Sequence, residues 1–209
     1  MMRPLFASAL TSATLTLVTA VAVRAAEPAL TIAAIAAAVV LLSWYAQLGS
    51  DDDQSSLDAT SPAVATTLAV VGRRPWGTIL PCWTAHVVGA VAAGFAALAL
   101  DSHLPAPLAY DADSLVAAAV AGVLAGLIGA WATLAVDGGG PIALTAAPVT
   151  LAGILPLGLV GAFSPAVVAG LATAELLPWD VAGVAAAAGL ASAAVGAWLA
   201  SVIVPANQE

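Results

Sequence analysis

Six stretches of this chain run for about twenty residues with almost no charge, the length a helix needs to cross a bilayer core of about 30 Å. They are Pro4–Val23, Pro28–Leu48, Gly77–Leu100, Asp113–Val136, Pro141–Val160 and Trp179–Val204. Two further apolar stretches, Pro62–Gly72 and Pro165–Glu175, span only about 16 Å as helices and cannot cross. The order is long, long, short, long, and then the same again. Composition excludes a soluble alternative. The 209 residues are 62% hydrophobic and only 8% charged, against about 25% charged in a soluble domain. The apolar residues are mostly Ala, Val, Leu and Gly, which let membrane helices approach closely. The expected fold is an all-α membrane protein of six transmembrane helices plus two re-entrant half-helices.

Each short stretch opens on the same four residues. Ser-Pro-Ala-Val occupies 61–64 and returns at 164–167, an offset of 103. From Ser61 to Trp76, 8 of 16 positions are identical at that offset. Each half would cross three times, so the second half enters from the opposite side and the repeat is inverted. The halves run about 1–104 and 105–209 within a single membrane domain, divided in the polar loop Asp101–Asp113.

Twelve acids face four bases, none of them Lys, for a formal net charge of −8. No basic patch is present for nucleic acid. An acid-rich, Lys-free membrane chain reads as a prokaryotic protein from a saline habitat. Arg3, Arg73 and Arg74 fall on one side of the expected topology and Arg24 on the other, which places both termini in the cytoplasm by the positive-inside rule. The expected location is the cell membrane. Cys82 is alone, so no intrachain disulfide forms. The N-terminal run is read as the first span, not a cleaved signal. Asp51–Asp53 with Asp58 would either concentrate cations at one mouth or form a solvated loop. Trp44, Tyr45, Trp76, Trp83 and Trp179 lie near span ends, where aromatic side chains anchor at the interface. Gly122-xxx-Gly126, Gly89-xxx-Ala93, Ala90-xxx-Gly94 and the pair Gly189 and Gly196 are close-approach motifs.

Ser is a preferred helix N-cap and Pro is favoured at the first helical position. Ser61-Pro62 and Ser164-Pro165 would therefore begin two half-helices near mid-membrane. The first N–H groups of a helix lack intrahelical partners and carry about half a positive charge. Two such ends around one point repel a cation and donate hydrogen bonds to a neutral solute.

These residues resemble the aquaporin/glycerol-facilitator (major intrinsic protein) family. The stretch from Ser61 to Trp76 is similar to that family's first half-helix. Ala85-His86-Val-Val-Gly89-Ala90 looks like its Ala-Gln-x-x-Gly-Ala pattern, and Gly161-Ala-Phe-Ser-Pro-Ala-Val167 like its second half-helix. The resemblance covers the whole chain. It implies a right-handed bundle assembled as a homotetramer, with one pore per subunit and no cofactor. It also implies a pore centre at Ser61, Pro62, Ala63, Ser164, Pro165 and Ala166. The chain departs from the family at several places. Ser61 and Ser164 stand where the family has Asn. A Ser hydroxyl offers one donor where an amide offers two, and it is shorter. Val167 stands where most members place the filter Arg. By position Ala152, Gly161 and a small residue near Ala37 complete the outer constriction, which would be wide and apolar. Ser8 and Gly122 stand where the family often has a supporting Glu.

His86 lies inside an apolar span, where an ionisable residue is a functional candidate; the other reading is that it replaces the family's Gln and holds loop backbone. His103 is a solvated loop residue or a pH gate. No Ser/His/Asp set and no metal-ligand cluster converges, so no enzyme and no metal site is expected. The expected function is a passive channel for water or small neutral solutes, glycerol-like polyols or gases among them. Alternatives are a broken-helix secondary transporter and a non-conducting scaffold that keeps the fold.

Overall fold

The structure, a computed structural model of the chain, describes residues 2–24, 61–103, 114–137 and 164–203, with residues 33, 34, 37, 38, 41 and 42. The described residues are helices and their connections. Four helices are long and apolar enough to cross a membrane: α1 (Met2–Ala22), α3 (Ile79–Ala99), α4 (Leu115–Asp137) and α6 (Trp179–Ile203). Two are short: α2 (Pro62–Val70) and α5 (Pro165–Thr173). The fifth expected span, Pro141–Val160, lies outside the described residues, as does most of the second; its six described residues are helical.

The ends of these elements have local causes. Ser114 precedes α4, and its Oγ accepts the Ala117 N–H at 3.2 Å, a side-chain N-cap. A single 3-10 turn, Trp76–Thr78, leads into α3, and Pro81 is tolerated there because an N–H in the first turn has no acceptor within the helix. Both short helices are nine residues long, two fewer than expected at their C-terminal ends. Arg73 N–H donates to Leu68 O at 2.8 Å and Gly72 N–H to Ala69 O at 3.1 Å. In the second copy, Leu176 N–H donates to Leu171 O at 3.0 Å and Glu175 N–H to Ala172 O at 3.2 Å. This crossed pair is a Schellman cap, which needs a left-handed residue just past the helix. Gly72 (φ 76°) and Glu175 (φ 58°) take that conformation. The helices therefore stop before these residues.

Packing repeats as the sequence does. α1 lies along α3, and α4 lies along α6. α5 touches α3 and α1; α2 touches α6 and α4. α2 also touches α3, as α5 touches α6, and the two short helices touch each other. Exchanging α1 with α4, α2 with α5 and α3 with α6 maps this set of contacts onto itself.

Small residues make these contacts close. A Cβ added to Gly126 of α4 would collide with Ser192 Oγ and Gly189 O of α6. One added to Gly89 of α3 would collide with the backbone of Ala9 in α1. One added to Gly170 of α5 would lie 2.6 Å from Ala90 O of α3. The core is built from Ala, Val and Leu, mostly of α1, α4, α5 and α6 with Ala97 of α3, and Leu15, Val167, Leu171 and Val181 are fully enclosed. The outside is apolar too: Phe6, Leu80, Phe95, Val116, Trp131 and Trp198 are exposed. An apolar exterior on long apolar helices is the surface that lipid solvates.

Candidate functional site

The two Ser-Pro openings meet the helix-start expectation. Ser61 (φ −164°, ψ 159°) and Ser164 (φ −143°, ψ 127°) are both extended, each followed by Pro at the first helical position. Their environments differ. Ser61 is buried, and its Oγ accepts the Val64 N–H at 3.3 Å, a long cap. Ser164 is completely enclosed, and its Oγ has no partner among the described residues. Pro62 is buried, while Ala63 and Val64 are half-buried. Pro165, Ala166 and Val167 are buried, the last two with no exposed surface. Val167 packs in the apolar core beside Leu171 and Val181.

The remaining candidates are placed as follows. Ala37 is exposed, and its neighbour Ala38 packs against the core. Ala152 and Gly161 lie outside the described residues. Trp76 and Trp179 are exposed at the starts of their helices, as interfacial anchors would be. Among the described residues no three His, Cys, Asp or Glu side chains come together.

His86 is fully enclosed in α3. Its Nδ1 lies 2.6 Å from Ser12 Oγ of α1, a hydrogen bond whose donor is set by the imidazole tautomer. One turn earlier on both helices, Cys82 Sγ lies 3.9 Å from Ser8 Oγ. Ser8 thus meets a thiol at the position where the resemblance has a carboxylate. Gly122, its counterpart in α4, meets backbone: a Cβ there would lie 2.5 Å from Ala185 O. Ser192 of α6 donates into the same contact, to Gly122 O at 3.2 Å. One seam is joined by two side-chain pairs, the other by backbone contact and a serine that reaches across to backbone.

At the far end of α1 the buried Arg24 reaches Asp101, with Nη2 2.5 Å from Oδ1. Its Nε donates to Ala20 O at 3.2 Å. This pair ties the C-terminal ends of α1 and α3 and puts Arg24 and Asp101 at one end of the bundle. Arg74, beyond α2, donates through Nε to Thr78 Oγ1 at 2.7 Å.

Sequence reasoning singled out His86 but not Ser12, its partner. The signal was available: Ser8, Ser12, Thr16 and Thr19 recur at helical spacing, and Cys82 and His86 stand four apart on the facing span. Compared with known proteins, the chain matches no family model and no curated sequence.

Proposed function

We propose that this protein is a passive membrane channel of aquaporin-like architecture for water or small neutral solutes. Six spans and two re-entrant half-helices form an inverted repeat, with both termini in the cytoplasm. The observation that carries this reading is the pair of nine-residue helices, each opening on a buried Ser-Pro and touching the other. Helices too short to cross, placed symmetrically among long apolar ones, bring unpaired N–H groups into the protein interior. Such backbone is tolerated at membrane depth where protein buries it or a wet cavity receives it. Ser61 and Ser164 would donate to the solute, and the positive helix ends would repel cations. The half-buried Ala63 and Val64 would present the accessible side of the path.

The test is osmotic. Proteoliposomes holding the purified chain should shrink faster than protein-free vesicles in a sucrose gradient, then swell again if the imposed osmolyte is glycerol. Rates equal to empty vesicles for both solutes would remove the channel reading.

A second reading has one observation behind it. Ser164, Ala166 and Val167 expose no more than a trace of surface, as they would in a non-conducting scaffold that retains the architecture. Equal rates in the same experiment, with the protein monodisperse and folded, would select it.

A further inference from the structure

Threonines in this bundle divide into two kinds. Thr66, Thr84, Thr133 and Thr173 turn their hydroxyls onto the carbonyl four residues earlier in their own helix, at 2.7–2.9 Å. That back-bond satisfies the donor without help from a neighbour. Thr67 of α2 forgoes it, as do Thr16 and Thr19 of α1. All three are completely enclosed, and none of their hydroxyls has a partner among the described residues. Thr16 and Thr19 are neighbours on one helix.

The two lie on one stripe. Three residues apart on a helix, they share a face about 4.5 Å apart along the axis, and they continue the line of Ser8 and Ser12. Thr16 faces α5: the Cβ that Gly170 lacks would lie 2.8 Å from its Oγ1. Towards the start of α1 the stripe meets the Ser12–His86 hydrogen bond. Towards its end stands the Arg24–Asp101 ion pair. An enclosed hydroxyl without a partner is costly, the more so at membrane depth. Two neighbouring hydroxyls held off the carbonyls that satisfy their counterparts elsewhere call for a ligand that both donates and accepts.

We propose that the seam between α1, α3 and α5 binds water at Thr16 and Thr19. The bound molecules bridge the two hydroxyls and extend the polar line from Ser12 and His86 towards Arg24 and Asp101. Water suits the site because buried water bridges otherwise unpaired polar groups, about three hydrogen bonds at a time. The site lies between two long helices of the first half and the short helix of the second. It rests on the hydroxyl geometry and not on whether the protein conducts.

The experiment is magnetisation transfer from water to threonine side chains, by solid-state NMR of the full chain in lipid bilayers. Thr16 and Thr19 should receive magnetisation early although they are enclosed. Thr133, equally enclosed but bonded to Gly129 O, should not. No early transfer at either Thr16 or Thr19 overturns the proposal. Thermal unfolding of Thr16→Val and Thr19→Val reads the same question by sign, since Val keeps the shape and deletes the hydroxyl. Water-bound hydroxyls leave the Tm unchanged or lowered; a raised Tm in both variants means dry, unpaired hydroxyls and overturns the site. If a Val variant does not fold, the transfer measured on the unaltered chain still decides.

Discussion

Two residues carry conflicts that a substitution can expose. Glu175 takes φ 58° in the cap of α5, while Gly72 takes φ 76° at the matching place after α2. The left-handed conformation costs an L-residue about 1–2 kcal/mol, and glycine adopts it freely. Glu175→Gly should therefore raise stability by up to about 1 kcal/mol after glycine's extra unfolded-state entropy is counted. Gly72→Ala should lower it by about 1 kcal/mol. Thermal unfolding in detergent reads both, and a loss in Glu175→Gly would show that the side chain makes a compensating contact. His86 is the second case. Removing its ring leaves Ser12 Oγ unpaired at a fully enclosed position and opens a cavity. His86→Ala should lower stability by about 2 kcal/mol or more. His86→Gln keeps a donor and an acceptor and should recover part of the loss in the same assay. The His86 position was legible from sequence as polar among apolar residues. Its partner was not, because a Ser in an apolar span looks like any small residue until the facing helix is known.

Helices were the most legible level, and the reason is that each is one long uncharged run. The length a bilayer demands of such a run predicts its limits, and α1, α3, α4 and α6, each long and apolar enough to cross, fall within a few residues of them. What failed at the ends was local chemistry: both short helices stop where a Schellman cap turns the chain. Close approach between elements follows from absent side chains, and it differs sharply from one glycine to another. In α4, Gly126 faces the backbone of α6, where a Cβ would meet Gly189 O and lie 2.8 Å from Ala193 N. In α6, Gly183 is exposed, with nothing within 4 Å of an added Cβ. Gly126→Ala should force α4 and α6 apart and cost about 1–3 kcal/mol. Gly183→Ala should instead gain up to about 1 kcal/mol from helix propensity alone. Opposite signs in thermal unfolding are the expected result. A neutral Gly126→Ala would mean that the two helices shift at little cost.

At the scale of the molecule, the contacts between the described helices repeat symmetrically while the exposure of matching residues does not. The same Ser-Pro-Ala-Val opens α2 and α5, yet Ser61 has a cap partner and Ser164 has none among the described residues. Val64 is half-buried where Val167 is fully enclosed. No sequence reading could separate these positions, because the four residues are identical and the difference comes from what packs over them. It matters for function, since Val167 stands where the resemblance sets a filter and the structure sets it in the core. Introducing a charge at each matching position tests which environment is real. Val64→Arg places a guanidinium at a partly open position, where its long stem can carry the charge outward. Val167→Arg places it among Leu171 and Val181, and an unpaired charge buried in an apolar core costs about 3 kcal/mol or more. The expected outcome is a monodisperse, folded Val64→Arg and a Val167→Arg that aggregates or unfolds well below the parent, read by size-exclusion chromatography and thermal unfolding. A well-folded Val167→Arg with altered solute flux in proteoliposomes would instead place that side chain on an open lumen, and the second half-helix would then carry the filter.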